Sequence, residues 1–225
     1  MEGRHEIKHQ ISLADYYALR SRLRAVLRVD SHAGPDGTYQ IRSLYFDTPD
    51  DRALREKLDG VKNRDKYRIR YYNSDTSFIQ LEKKSKRGNL CVKTSAVISA
   101  DEAQRIVQGD CDFMRQHESP LVRELFHAMR EEGMAPKTIV DYTRDPFICD
   151  AGNTRVTLDH HIRTGLRSVD LLDPDCVTIP AAEDVIILEV KWDRFLPDIV
   201  RDAVQVPNRH STAFSKYAIC RTYDF

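Results

Sequence analysis

A repeated alternation, charged on one side and apolar on the other, restricts this chain more than any other feature. Between residues 66 and 72, Lys66, Arg68, Arg70 and Tyr72 alternate with Tyr67, Ile69 and Tyr71. A strand sends successive side chains to opposite faces, so this run predicts a strand with one basic face and one apolar, aromatic face. The theme recurs. Phe78, Gln80, Glu82, Lys84 and Lys86 share a face, as do Val140, Tyr142 and Arg144. Arg155, Thr157 and Asp159 oppose Val156 and Leu158, and Glu189 and Lys191 oppose Leu188, Val190 and Trp192. Near the start, Arg4, Glu6, Lys8 and Gln10 oppose His5, Ile7, His9 and Ile11.

Taken singly, each run is compatible with a solvated outer face over an ordinary core. Two things favour another arrangement: the mixture of basic and acidic residues recurs on at least five strands, and the opposite faces carry large apolar residues. A closed or strongly curved antiparallel sheet satisfies both if its apolar face lies under helices and its polar face lines a lumen. Buried cations without partners are costly. They become favourable when a polyanion with a divalent cation fills the lumen, because Arg offers phosphate a bidentate fork and Lys a compact charge.

The remaining elements follow from local signals. Ser12, with Asp15 three positions on, predicts an N-cap for a helix to about Arg28. Gly34-Pro35-Asp36-Gly37 is a turn, and residues 39–47 read as a strand. Thr48-Pro49 is expected to open a short helix. Residues 66–72, 78–86 and 90–98 read as consecutive strands separated at Asn73-Ser74-Asp75 and Arg87-Gly88-Asn89. Ser99 and Glu102 form a capping-box pattern for a helix to about Gln108. Ser119-Pro120 opens another, which Gly133 stops. Strands are expected over 138–144, 154–159 and 185–192, helices over 197–205 and 212–221, and a strand or extended loop within 163–184.

At 225 residues and 26.0 kDa, the chain is expected to form a single domain over 1–225. Lys and Arg number 35, as do Asp and Glu, so a dedicated nucleic-acid binder, which carries a basic excess, is disfavoured. Lys83 to Arg87, a basic cluster at a hairpin, reads as a solvated turn, and the balanced charge disfavours the alternative of a nucleic-acid patch. No apolar run approaches the ~18 residues that span a bilayer, and the first ten residues do not read as a secretory signal. Cys91, Cys111, Cys149, Cys176 and Cys220 are scattered and contain no CxxC pair. A reducing, cytoplasmic setting without membrane insertion is expected.

Three other signals fail on chemistry. His5-Glu6-Ile7-Lys8-His9 matches the HExxH zinc motif, but that motif needs a helix and this run alternates as a strand. In Asp159-His160-His161, adjacent strand histidines are expected to point opposite ways, which opposes a shared metal. Neither a GxxxxGK[ST] loop nor its glycine content is present. Trp192 is expected to pack on the apolar side, under a helix.

Seven short motifs then occur in a telling order: Tyr45-Phe46-Asp47, Tyr67-Arg68-Ile69-Arg70-Tyr71, Leu81-Glu82-Lys83-Lys84, Tyr142-x-Arg144, Arg155-Val156-Thr157-Leu158-Asp159, Leu188-Glu189-Val190-Lys191 and Phe214-Ser215-Lys216-Tyr217. In this order they resemble the catalytic domain of the vacuolar transporter chaperone family, polyphosphate polymerases within the triphosphate tunnel metalloenzymes. The resemblance spans Arg4 to Lys216. It implies an α+β fold, an antiparallel β-barrel forming a triphosphate tunnel with peripheral helices. It also implies that the γ-phosphate of ATP, or of another nucleoside triphosphate, is transferred to a growing inorganic polyphosphate chain. By the same resemblance, Lys8, Arg68, Arg70, Lys84, Arg144, Arg155 and Lys216 are the phosphate ligands of the catalytic site, and Lys93 and Lys191 are additional phosphate contacts. Glu189 is the implied ligand of Mn²⁺ or Mg²⁺, while Glu6 and Glu82 either hold metal-bound water or orient nearby cations. Hydrolytic members open with Glu-x-Glu-x-Lys, whereas Arg4 stands here at the first Glu; one carboxylate fewer and one cation more are expected to favour a longer phosphate chain. A triphosphatase acting on tripolyphosphate or nucleotide, and a non-catalytic polyphosphate-binding module, are the two alternatives.

Overall fold

The charged-and-apolar alternation is realised in a mixed α+β fold. The computed structural model describes residues 4–88, 90–182, 184–206 and 214–222. Among these are strands β1 (His5–Ile11), β2 (Arg28–Val29), β3 (Tyr39–Asp47), β4 (Asn63–Tyr72), β5 (Asp75–Arg87), β6 (Leu90–Ile98), β7 (Ala135–Cys149), β8 (Thr154–Thr164), β9 (Ile179–Pro180) and β10 (Ile186–Trp192). The helices are α1 (Leu13–Val26), α2 (Arg52–Leu58), α3 (Ala100–Gln108), α4 (Pro120–Glu131), α5 (Asp198–Ala203) and α6 (Lys216–Cys220). The sheet runs β1-β10-β8-β7-β3-β4-β5-β6, with β2 on β7 and β9 on β8. The registers of β1–β10, β10–β8, β3–β4, β4–β5 and β5–β6 are antiparallel. No described helix is long and apolar enough to cross a membrane.

The chain forms two compact units, Met1–Gln40 with Tyr142–Ile162 and Ala182–Phe214, and Ile41–Asp141 with Arg163–Ala181 and Ser215–Phe225. In the first, Val156 and Leu158 of β8 and Leu188 and Val190 of β10 pack with Leu19 and Leu23 of α1 and Val200 of α5. In the second, Tyr67, Ile69 and Tyr71 of β4 and Ile79 and Leu81 of β5 pack with Ile106 of α3 and Leu121, Val122 and Leu125 of α4. Each such side chain contributes roughly 1.5–3 kcal/mol by leaving water. In both units the apolar strand face lies under helices, which leaves the alternate, charged residues on the other face.

Local chemistry explains the element ends. The side chain of Ser12 accepts from the Asp15 amide and Asp15 accepts from the Ser12 amide, a reciprocal box that Ser99 and Glu102 repeat on α3. Asn73 and Ser74 adopt φ of 50° and 58°, the left-handed pair of a two-residue hairpin, so β4 and β5 extend closer together than their hydrophobic patterns suggest. One expectation is corrected: Pro49 does not begin the following helix. Asp51 (φ 57°) precedes α2, and the buried Asp47 carboxylate accepts from the Thr48, Ala53 and Leu54 amides. That carboxylate, taking the Ala53 and Leu54 N–H groups, and the Thr48 hydroxyl, taking that of Arg52 at 3.0 Å, satisfy the start of α2 in place of a proline at the first helical position. Among the described residues of the 163–184 stretch, the two-residue β9 is the only strand beyond the end of β8, and Thr212 and Ala213 lie outside the described residues.

Candidate functional site

On β4, β5 and β6 the antiparallel register stacks cations in rows. Lys66 stands opposite Lys84, which stands opposite Lys93. Arg68 stands opposite Glu82, and Arg70 opposite Gln80. Glu82 is the carboxylate of this face, and its side chain is only 2% exposed. It accepts from Arg68 Nε at 2.7 Å and from Lys93 Nζ at 2.6 Å, while Arg70 Nη1 lies 3.8 Å away. Burial opposes its charge, but Arg68, Arg70 and Lys93 outweigh that effect and hold its pKa well below the usual carboxylate range. Glu82 therefore stands within 3.8 Å of three cations, Arg68, Arg70 and Lys93. Arg70 is buried and donates to Ser43 Oγ (3.3 Å) and the Tyr72 hydroxyl (3.1 Å). Arg68 also donates to the Tyr45 hydroxyl at 2.9 Å, and Tyr45 stacks on Tyr217 with ring centroids 5.0 Å apart. Burial raises the Tyr45 pKa, but Arg68, Arg70 and Lys216 together bring it below the usual phenol value. Lys84 is exposed, and Lys216 heads α6, half-buried.

The other charged face belongs to β1, β10, β8 and β7. Here Lys8 pairs in register with Glu189, and Glu189 with Thr157; Glu6 pairs with Lys191, and Lys191 with Arg155. Lys8 Nζ lies 2.5 Å from Glu6 and 3.9 Å from Glu189. Lys191 contacts Glu189 and lies 3.8 Å from Glu6. Two carboxylates thus alternate with two ammonium groups. Burial works against the Lys8 charge, but Glu189 and Glu6 outweigh it and raise the Lys8 pKa. Arg144 is engaged differently: it donates bidentately to buried Asp159 from Nε (2.6 Å) and Nη2 (2.8 Å). Arg155 donates from Nη2 to Asp30 (2.8 Å) and to the Tyr39 hydroxyl (2.5 Å), while its Nε is buried without a hydrogen-bond partner among the described residues.

Against this geometry the comparisons with known proteins are decisive at the family level. The model of the VTC domain matches residues 3–223. The chain belongs to the VTC domain family. Among solved structures, the Hippeastrum protein HpAC1, described as an adenylyl cyclase with a dominant triphosphatase activity, is 17% identical and superimposes with a TM-score of 0.59. That alignment covers 100% of this chain and 97% of that one. A Bacillus halodurans protein assigned as an adenylate cyclase is 16% identical over 84% of this chain and 81% of that one, with a TM-score of 0.49. No curated protein matches the chain. The family match and the fold shared with HpAC1 agree with the α+β triphosphate-tunnel class implied by the ordered motifs.

Within this VTC domain, the residues singled out from the sequence fall into the two faces. Arg68, Arg70, Lys84 and Lys93 share the β4–β6 face, in the same unit as Lys216; Lys8, Arg144, Arg155, Glu189 and Lys191 belong to the other unit. Arg4 departs from expectation. It precedes β1, its side chain is 37% exposed, and it pairs with Asp193 at 2.9 Å instead of joining Lys8 among the carboxylates of β1 and β10. The HExxH run lies on β1, where His5 stacks on Trp192 at 5.4 Å, and half-buried Trp192 packs against the helix-covered core. His160 and His161 correct the alternation argument: His161 has φ 51°, and the two Nδ1 atoms approach to 3.0 Å. Sequence reasoning gave no role to Tyr45, Asp47 or Tyr217. Asp47 accepts from the Tyr217 hydroxyl at 2.6 Å, tying α6 to β3; the paired Tyr-Phe-Asp and Ser-Lys-Tyr motifs were the available signal.

The donors of the VTC domain fit a hard divalent cation in part. Among the described residues no group of three or more His, Cys, Asp or Glu side chains is arranged around a common metal position. Glu189 and Glu6 are nevertheless oxygen donors on adjacent strands. The buried hydroxyl of Thr157, in register with Glu189, has no hydrogen-bond partner among the described residues. This set suits Mg²⁺ or Mn²⁺, which bind through one or two carboxylates and complete their shell with water and phosphate oxygens.

Proposed function

We propose that this VTC-domain protein, acting as one domain over residues 1–225, is a metal-dependent phosphotransferase that passes the γ-phosphate of ATP to the end of an inorganic polyphosphate chain. The observation that carries this reading is the β4–β6 face, where Lys66, Arg68, Arg70, Lys84 and Lys93 stand in rows around the carboxylate of Glu82. Residues two apart on a strand repeat about every 6.5 Å. A line of cations at that repeat matches a linear polyanion better than a compact one.

Phosphoryl transfer asks the protein chiefly for in-line positioning and charge neutralisation. Arg68, Arg70, Lys84, Lys93 and Lys216 bind phosphates from one unit, and Lys8, Arg144, Arg155 and Lys191 are the candidates of the other. Because Arg144 already spends Nε and Nη2 on Asp159, its contribution is fixed in direction. Glu189, with Glu6 and Thr157 beside it, would hold Mg²⁺ or Mn²⁺. When bound, such an ion neutralises charge on phosphate oxygens. A protein nucleophile is unnecessary, since a terminal phosphate oxygen of the chain attacks the γ-phosphorus and ADP leaves. The five cysteines are free, which fits a reducing compartment such as the cytoplasm.

The second reading, a triphosphatase with water as acceptor, is supported by the activity described for HpAC1, which shares the fold. Incubating the pure protein with ATP and Mn²⁺ separates the readings. Long polyphosphate on a gel supports the polymerase, free phosphate without chains supports the triphosphatase, and neither product leaves a binding module.

A further inference from the structure

Two histidines of β8 belong to a cluster that neither charged face uses. β8 pairs with β10 as far as Asp159 and with β9 from Arg163, so His160 and His161 lie between these two pairings. His160 follows Asp159 and Asp145 follows Arg144, so parity turns both away from the Arg144–Asp159 pair, toward α1. There the buried Asp145 carboxylate accepts from Arg20 Nε at 2.6 Å and from the Tyr16 hydroxyl at 3.1 Å, and it lies 3.1 Å from His160 Nε2. The Tyr16 ring meets His160 edge-on, with centroids 5.1 Å apart. Burial opposes the Asp145 charge, but the hydrogen bonds from His160 and Arg20 outweigh it and lower the carboxyl pKa. An ionised carboxylate only accepts, so the His160 hydrogen in this contact sits on Nε2. In the neutral ring Nδ1 then carries the lone pair, and it stands 3.0 Å from His161 Nδ1. The left-handed φ of 51° at His161 brings the second ring round, with the two ring planes at 74°. The His160 side chain is 12% exposed and His161 is exposed, so water reaches the pair from the His161 side.

We propose that Nδ1 of His160 and Nδ1 of His161 form a two-nitrogen site for a late transition-series divalent cation of the Zn²⁺ type, with water completing its shell. Imidazole suits such ions, whereas Mg²⁺ prefers oxygen. Two nitrogens ~2.0–2.1 Å from one ion, at an angle of about 90–110°, stand roughly 2.9–3.4 Å apart. The 3.0 Å between the two Nδ1 atoms falls within that range. Asp145 supplies the outer contact: a carboxylate on the far N–H of a ligating histidine fixes the ring and strengthens it as a donor. Arg20 and Tyr16 hold that carboxylate in turn. Without the ion, His161 Nδ1–H donates to His160 Nδ1. On binding, that hydrogen passes to Nε2 of His161, so no net proton is released. Among the described residues no set of three His, Cys, Asp or Glu side chains surrounds a common position, so the remaining ligands are waters. The site shares no residue with the oxygen donors Glu189 and Glu6, and it stands or falls independently of the proposed function.

Titration calorimetry of the full chain with Zn²⁺ at pH 7.5, in excess Mg²⁺ to occupy oxygen sites, tests the pair. The wild type is compared with His160→Gln, His161→Gln and His161→Gly. The wild type is expected to bind Zn²⁺ in the presence of Mg²⁺ and to melt higher with it. Each substitution is expected to weaken that binding about tenfold or more and to remove the rise in melting temperature. His161→Gly relieves the left-handed backbone as it removes the imidazole, so without metal it should melt close to the wild type. It therefore reports on the site even if the half-buried His160→Gln variant misfolds. Electron paramagnetic resonance of the Cu²⁺-loaded protein counts the nitrogens directly: two are expected in the wild type and one in His161→Gln. A wild type that binds no Zn²⁺ in excess Mg²⁺, or wild-type affinity in both His161 variants, would overturn the site.

Discussion

The two charged faces of this VTC domain use their carboxylates differently. On β1, β10, β8 and β7, Glu6, Glu189 and Asp159 stand among Lys8, Lys191, Arg144 and Arg155. On β4, β5 and β6, one carboxylate, Glu82, serves Arg68, Arg70 and Lys93, while Lys66 and Lys84 extend the rows. The first face is close to neutral and has oxygen donors to offer a metal. The second carries more cations than carboxylates. A chain of zero formal net charge thus holds a basic site because the strands sort the charges by face rather than because the composition is biased.

This contrast breaks most visibly at Glu189. Glu189→Gln keeps the shape and removes the charge; turnover should fall by about 100-fold or more, while tripolyphosphate binding, measured by calorimetry, stays near the wild-type value. Unchanged turnover would move the metal site to another group. Glu82→Gln should act on stability instead. Its removal leaves three cations without their shared partner, which costs about 3 kcal/mol and lowers the melting temperature accordingly. Because the folded-state pKa of Glu82 is depressed, its contribution is present above the ordinary value of 4.5 and fades as pH falls below it. An acid titration of the melting temperature should therefore flatten in the variant.

Arg70→Ala sharpens the account of the second face. Binding of tripolyphosphate should weaken by about 1.5–3 kcal/mol, the range for hydrogen bonds to charged groups. Arg68→Ala should do the same and also lower the stability of the empty protein, since Arg68 is held by Glu82 and Tyr45. Lys66→Met should behave oppositely when empty. The folded-state pKa of Lys66 is lowered, so the native state carries an unfavourable charge below about 7 and loses it as pH rises. The variant should melt higher than the wild type at pH 6, with a smaller gain at pH 9. The smallest effect is expected for Arg4→Ala: stability within about 0.5 kcal/mol and unchanged ligand binding, because Arg4 is a surface partner of Asp193.

Much of the fold was legible because alternation and capping are local. The strand over 39–47, the capping boxes at Ser12 and Ser99 and the helix opened by Ser119-Pro120 all appear where their residues suggest. Element lengths were less legible. β7 runs from Ala135 to Cys149, well beyond the alternating core around Val140, since its pairing partners rather than its own pattern decide where it stops. Backbone exceptions also escaped. The positive φ of His161 brings two neighbouring imidazoles together, and Asp51 in the left-handed region delays α2 past Pro49.

For the candidate site, the sequence by itself determined which residues share a strand face, because side-chain direction on a strand follows from parity alone. Lys66 with Arg68 and Arg70, or Glu189 with Lys191, could be grouped in that way. Only the tertiary structure decided who meets whom across strands. Register, which no single strand carries, sets Lys66 beside Lys84, closes Arg68 and Lys93 on Glu82, and turns Arg144 onto Asp159. It also draws Arg4 away to Asp193 and seats Lys66 against Ser215, 149 residues away in sequence. Charge interactions at 3 Å depend on those long-range pairings. The alternation could therefore mark a basic face, but only the folded chain could distinguish cations that meet a carboxylate from one set against a hydroxyl and an aromatic ring.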